Sequence, residues 1–129
     1  MTNKPIHTDS APAAIGTYSQ AVATSAAQTV YISGQIPLDP TTMDVVSDDF
    51  KPQAEQVFKN LAAICTAAEG SLSNCVKLTI YLTDLGNFAE VNEVMASFFA
   101  APYPARAAIE VSALPKGVSI EIDAIMTLG

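Results

Sequence analysis

The stretch PARAAIEVSALPKGVSIEIDAIMTL (residues 104–128) organises the rest of the chain. Apolar residues alternate with others on both sides of a Leu-Pro-Lys-Gly break at residues 114–117, and this pattern predicts two strands separated by a turn. Arg106 lies in the first predicted strand and Glu121 in the second, each beside apolar neighbours. These two strands are therefore central to the predicted fold, and each places a charged side chain among apolar neighbours.

Arg106 and Glu121 are the first candidates for a functional site. A guanidinium held on a rigid strand binds carboxylates well, because its planar fork matches two oxygens. A carboxylic group on a nearby strand can orient a water molecule or transfer a proton. The alternative is two charges at the rim of the sheet or a structural ion pair, and the residues by themselves favour that alternative.

Composition excludes several classes of partner. The chain has 129 residues, half of them apolar, which suits a single domain over residues 1–129. The net charge is −7 and only six residues are Lys or Arg, so neither nucleic acid nor an anionic membrane is an expected partner. Because only 15% of the residues are charged, part of the surface is expected to be covered by other subunits.

Cysteine and histidine usage argues against metal or thiol chemistry. Cys65 falls on an apolar helical stripe and Cys75 opens a predicted strand, so both are expected as small buried side chains. His7 is the only histidine, which leaves no pattern for a zinc site or a His-activated nucleophile. No stretch resembles a signal peptide or a membrane span, and a soluble cytoplasmic protein is expected.

The sequence predicts a short strand near residues 5–7 in an extended lead-in, then a hairpin, a helix, a strand, a second helix and the two final strands. The hairpin is expected from residues 18–23 and 29–33, the first helix from near Asp49 to a stop at Gly70, the central strand at 75–83, and the second helix from Asp84 or Asn87 to Pro102. Asn92 falls on the apolar face of the second helix, where it either ties the helix to a loop or braces a site.

These elements predict an α+β protein in which one mixed sheet of about six strands carries two helices on one face. The opposite face then needs a cover. It presents few charges, with Tyr31, Thr79 and Tyr81 among its members, so contact with other subunits in a cyclic oligomer is expected there.

Five short motifs occur in an order that resembles a known family. They are Ile-Gly-Thr-Tyr-Ser-Gln-Ala at 15–21, Ser-Gly-Gln-Ile-Pro at 33–37, Pro-Ala-Arg at 104–106, Leu-Pro at 114–115 and Ile-Glu-Ile-Asp-Ala at 120–124. Each motif is weak by itself, but their order and spacing over the whole chain are specific. The chain resembles the RidA/YjgF family, the reactive-intermediate imine deaminases.

The resemblance implies a fold, an assembly and an activity. The fold is chorismate-mutase-like, and the assembly is a homotrimer with a central barrel and ligand clefts between neighbouring subunits. The activity is hydrolysis of 2-imino acids such as 2-iminobutanoate and 2-iminopropanoate to 2-oxo acids and ammonia. The partner is thus a small 2-imino or 2-oxo carboxylic acid, and no metal or cofactor is required.

The resemblance also assigns roles by position. Arg106 matches the arginine that grips the substrate carboxylate, and Glu121 matches the glutamate that orients the attacking water. Tyr18 matches a tyrosine lining the cleft, Gly34 matches the backbone wall of the Ser-Gly-Gln turn, and Asn92 matches a bracing asparagine. For Arg106 and Glu121 these roles agree with the carboxylate clamp and the acid-base group that the strand pattern suggests.

Three positions depart from the family pattern. Ala108 stands where many members have Cys or Ser, so only its backbone N–H is left to contact a ligand. Thr17 replaces a frequent proline, which is expected to loosen a turn. The connection at 100–103 is shorter than in bacterial members, which leaves the preferred imine side chain open.

Three other functions remain as alternatives. The same trimer could bind a small carboxylate without turnover, and only an assay would separate this from catalysis. RNA cleavage or translational inhibition is attached to some family names, but the acidic composition opposes it. A stress holdase would need exposed apolar surface.

Overall fold

The computed structural model describes residues 3–129 and contains six strands and two α-helices. In chain order they are β1 (Asn3–Ile6), β2 (Ala21–Thr24), β3 (Gln28–Gln35), α1 (Phe50–Ala67), β4 (Cys75–Leu82), α2 (Phe88–Phe98), β5 (Ala105–Glu110) and β6 (Ile120–Leu128). The predicted α+β class and the number of strands are confirmed. No helix within residues 3–129 is long and apolar enough to cross a membrane.

The strands form two sheets and not the single mixed sheet expected. One sheet has four strands in the order β3-β6-β4-β5, in which only β4 and β5 are parallel. The other sheet pairs β1 with β2. The predicted hairpin between residues 18–23 and 29–33 is therefore wrong, because β2 takes β1 as its partner while β3 pairs with β6.

Both helices cover one face of the four-stranded sheet and form the core with it. Helix α1 begins after Asp49, as predicted, and buries Val57, Phe58 and Leu61. Strand β4 buries alternate side chains at Leu78, Ile80 and Leu82, as its sequence predicts. The strictly alternating strands thus fix which side of the sheet the helices occupy.

Helix α1 ends at Ala67, and the residue with positive φ that follows is Glu69, at 70°, and not Gly70. Gly70 does not have a positive φ, but it lies in a crowded place. A Cβ at that position would lie 2.7 Å from Cε of Met126 and 2.9 Å from Cδ2 of Leu128. The expected glycine stop is therefore a point of close packing against β6.

The face of the sheet opposite the helices is open in the single chain. Tyr31 on β3 is 77% exposed and Ile109 on β5 is 45% exposed. The two-stranded sheet reaches this face at one end, where the hydroxyl of Thr127 bonds the side chains of Asn3 and Thr24. Apolar and aromatic groups thus remain uncovered on the face for which a subunit contact was predicted.

Candidate functional site

A cleft of about 630 Å³ opens between α2, β5 and the segment that precedes β2. Strand β5 contributes Arg106, and Asn92 comes from the second turn of α2. The cleft is lined by Ile15, Gly16, Tyr18, Leu85, Phe88, Asn92, Arg106 and Ala108. Four of the six residues proposed from sequence therefore lie together: Tyr18, Asn92, Arg106 and Ala108.

Two aromatic rings hold the guanidinium of Arg106. Its central carbon lies 5.0 Å from the ring centroid of Tyr18 and 5.0 Å from that of Phe88. Each contact is an attraction between the cation and the electron-rich ring face. Since Phe88 is the first residue of α2 and Tyr18 belongs to the preceding segment, the arginine joins two parts of the chain.

Hydrogen bonds fix one end of the same guanidinium. Its Nη1 donates to Oδ1 of Asn92 at 2.6 Å and to Oγ1 of Thr17 at 2.9 Å. The hydroxyl of Thr17 in turn donates to Oδ1 of Asn92 at 3.1 Å. Asn92 therefore does both things that its helical position suggested, because it ties α2 to a loop and braces the arginine.

Arg106 has no carboxylate partner among residues 3–129. The ion pairs within residues 3–129 are His7 with Asp9 and Lys51 with Glu93. Nε and Nη2 of Arg106 make no hydrogen bond to any side chain or backbone group of these residues. Burial lowers the pKa of Arg106, but a guanidinium stays charged at neutral pH. The cleft thus contains a permanent, half-buried cation with donors left for an anion.

Glu121 lies on the other side of the sheet. Paired residues on neighbouring strands point to the same face, and Arg106 pairs with Leu78, which is buried beneath the helices. Glu121 pairs with Tyr81, and Tyr81 pairs with Ile109 on the open face. A single chain therefore does not bring the arginine and the glutamate into one site.

Gly34 accompanies Glu121 and not Arg106. A Cβ at Gly34 would lie 2.0 Å from Oε2 of Glu121, so only glycine allows the carboxylate to sit there. This approach occurs where the register of β3 against β6 shifts between Ile32 and Gln35. The close packing places Gly34 and Glu121 in a second group of candidate residues.

The open face holds other polar groups near Glu121. The hydroxyl of Tyr81 donates to Oδ2 of Asp123 at 2.9 Å, and this hydrogen bond raises the pKa of Tyr81. The second group therefore offers a carboxylate and a hydrogen-bonded Tyr-Asp pair, whereas the first offers a cation between aromatic rings.

Comparison with known proteins places the chain in a family. The family described as Endoribonuclease L-PSP matches residues 8–128. The protein DfrA of Myxococcus xanthus is 54% identical over 125 residues, which cover 97% of this chain and 95% of DfrA. The rat 2-iminobutanoate/2-iminopropanoate deaminase is 47% identical over 129 residues, which cover 100% of this chain and 93% of the rat protein.

A solved structure gives the same result. The crystal structure of RidA from the Antarctic bacterium Psychrobacter sp. PAMC 21119 matches with a TM-score of 0.76 and 55% sequence identity, over 97% of this chain and 99% of that one. The chain belongs to the RidA/YjgF family. The resemblance inferred from the five motifs is thereby confirmed.

In this RidA-family chain, sequence reasoning missed three residues that contact Arg106, namely Thr17, Phe88 and Met95. Phe88 and Met95 were not among the candidates, since an apolar residue at helical spacing gives the same signal in a core and in a cleft. Thr17 was expected to loosen a turn. Instead the N–H of Tyr18 donates to the carbonyl of Gly16 at 2.9 Å, which closes the turn around Thr17, and the threonine hydroxyl bonds the arginine.

Proposed function

We propose that this protein hydrolyses small 2-imino acids, including 2-iminobutanoate and 2-iminopropanoate, to 2-oxo acids and ammonia. The observation that supports the proposal is that Arg106 is a half-buried cation with no carboxylate partner in the described part of the chain, although the net charge is −7. Such a cation is suited to bind an anionic ligand. The naming of the rat relative as a deaminase of this substrate class supports the choice of anion.

The hydrogen bonds of Arg106 select the edge that binds substrate. Nη1 is engaged by Asn92 and Thr17, so Nε and Nη2 form the remaining two-pronged edge for the substrate carboxylate. The rings of Tyr18 and Phe88 lie over the guanidinium and limit its movement. The imine carbon, one bond from the carboxylate, is then held at a fixed place.

Glu121 is proposed to orient the attacking water. Water adds to the carbon of the protonated imine and forms a neutral tetrahedral carbinolamine, while the carboxylate of Glu121 accepts a proton from the water. Glu121 returns this proton to nitrogen and accepts the hydroxyl proton of the carbinolamine as the carbon–nitrogen bond breaks, so that ammonia leaves and the 2-oxo acid forms. Fixed positions for the carbon, the water and the proton route are all that this reaction requires of the protein.

The proposed site is shared between chains. Arg106 and Glu121 lie on opposite faces of one sheet, so a second copy must bring its own Glu121 to the cleft. The exposed Tyr31 and Ile109 on the open face support a neighbour there. We propose a homotrimer, as the family resemblance implies, in which Gly34 and Glu121 of one chain complete the cleft of the next.

A carboxylate-binding protein without turnover is the second candidate. The cleft of the single chain favours it, because that cleft holds the carboxylate-binding arginine but no carboxylate or histidine. Hydrolysis, as proposed, therefore requires assembly of the chains. A measurement of turnover separates it from binding alone.

The test measures ammonia and 2-oxo acid released from imines generated in the assay by an amino-acid oxidase. Turnover above the spontaneous rate supports the proposal, whereas binding of 2-oxobutanoate without turnover supports the second candidate. Light scattering tests the assembly, for which three chains of 13.5 kDa would give about 40 kDa. A mass near 13.5 kDa at micromolar concentration would refute the shared site.

Mixing two inactive variants tests the sharing directly. Arg106→Ala and Glu121→Ala chains are co-refolded in equal amounts. In a randomly assembled cyclic trimer, about one quarter of the clefts would pair an intact arginine with an intact glutamate from the next chain. Activity near that fraction is expected. If both residues of a site came from one chain, mixing would restore nothing.

A further inference from the structure

We infer that Thr17 is a positioning residue, whose hydroxyl fixes the direction in which Arg106 presents its carboxylate-binding edge. The inference rests on the proposed function of the cleft. Oγ1 of Thr17 accepts a hydrogen bond from Nη1 of Arg106 at 2.9 Å and donates one to Asn92 at 3.1 Å. Oγ1 of Thr17, Oδ1 of Asn92 and Nη1 of Arg106 thus form a hydrogen-bonded triangle at one end of the guanidinium.

The triangle supplies a restraint that the aromatic rings cannot. The contacts with Tyr18 and Phe88 hold the central carbon 5.0 Å from each ring centroid, and this distance does not change when the guanidinium rotates within its own plane. That rotation decides whether Nε and Nη2 face the cleft. The hydrogen bonds from Nη1 to Thr17 and Asn92, together with a longer contact to Sδ of Met95 at 3.7 Å, fix the rotation.

The backbone at Thr17 allows the hydroxyl to be removed without loss of the turn. The hydrogen bond from Tyr18 N–H to the Gly16 carbonyl closes a three-residue turn with Thr17 at its centre. The φ of Thr17 is not positive, which corresponds to the inverse γ-turn with φ near about −75°. The N–H of Thr17 bonds no residue in 3–129, so proline, whose φ is about −65°, is compatible with this position.

The experiment compares Thr17→Val, Thr17→Pro and Thr17→Ser. Valine keeps the shape, proline keeps the turn, and serine keeps the hydroxyl. KM and kcat are measured for imine hydrolysis, and Kd is measured by calorimetry for 2-oxobutanoate, which binds without turnover. Loss of one hydrogen bond to a charged group should raise KM and Kd roughly tenfold in Val and Pro, with kcat nearly unchanged. Serine should restore most of the affinity.

Two controls separate positioning from a structural role. Thr66→Val removes a hydroxyl that bonds only the Ala62 carbonyl within α1, and it should leave Kd unchanged. In an Arg106→Lys background there is no planar fork to orient, so Thr17→Val should change Kd by less than about twofold. A loss equal to that in wild type would show that Thr17 acts on the turn and not on the arginine.

The outcomes distinguish this inference from the proposed function. Wild-type Kd in both the Val and Pro variants overturns the role of Thr17 while hydrolysis by wild type still supports the function. Binding of 2-oxobutanoate without any hydrolysis refutes the proposed function, yet the Kd series still tests Thr17. If wild type does not bind the 2-oxo acid, both are overturned.

Discussion

Replacement of Arg106 gives the strongest test of the cleft. A substrate carboxylate on Nε and Nη2 would accept two hydrogen bonds from a charged donor, each worth about 1.5–3 kcal/mol. Loss of both in Arg106→Ala corresponds to about 3–6 kcal/mol, or roughly two to four orders of magnitude in kcat/KM. Arg106→Lys keeps a point charge but loses the fork, so it should recover only part of this loss.

The same replacement should leave the fold intact. Arg106 makes no ion pair with residues 3–129, so its removal leaves no carboxylate without a partner. Asn92 and Thr17 still bond each other after the arginine is gone. Because the two ring contacts and the hydrogen bonds from Nη1 are lost, the melting temperature of Arg106→Ala is expected to fall modestly while the protein stays folded, as measured by thermal unfolding.

The assay compares kcat/KM for 2-iminobutanoate in wild type, Arg106→Ala, Arg106→Lys and Lys59→Ala. Lys59 is exposed on α1 outside the cleft, and its replacement changes the net charge by the same amount. Lys59→Ala should behave as wild type, which excludes a general charge effect. Full activity in Arg106→Lys would refute two-pronged binding, and full activity in Arg106→Ala would refute the clamp.

The remaining predictions concern the second group of residues and the cysteines. Glu121→Gln should lower kcat more than it raises KM, because the amide can hold the water but cannot take its proton, and Glu121→Ala should be worse; unchanged kcat with weaker binding would make Glu121 a substrate-binding residue. Cys65 and Cys75 are buried with their sulfurs 3.8 Å apart, and the hydrogen bond to Cys65, together with burial, raises the pKa of the Cys75 thiol. The native protein should therefore resist iodoacetamide, and a folded Cys65→Ala/Cys75→Ala variant should retain turnover; loss of activity in that variant would contradict this.

The sequence predicted the elements of the fold better than their partners. Alternation in β4 and β6 and the start of α1 at Asp49 were correctly predicted, because each depends on local periodicity. The hairpin of β2 with β3 was not, since periodicity states which face a strand buries but not which strand lies beside it. The partner of β2 is Asn3–Ile6, a short strand without apolar alternation.

The candidate site shows the same limit, because the sequence indicated single residues but not which of them lie together. Resemblance by position led to Tyr18, Asn92 and Arg106, which the structure brings together. The hydroxyl contact of Thr17 was not predictable, because it depends on how a loop 89 residues away in sequence docks against β5. The separation of Arg106 from Glu121 was also missed, since strand pairing must be known before two residues can be assigned to the same face.

The separation of Arg106 and Glu121 on two faces of one sheet has a consequence for when the protein works. If each cleft is completed by a neighbour, a newly synthesised chain is inert until it meets other copies. Specific activity would then fall on dilution below the dissociation constant of the assembly, although every chain stays folded. The expression level would then affect the total catalytic rate in two ways, because it determines both the number of chains and the fraction of them that is assembled.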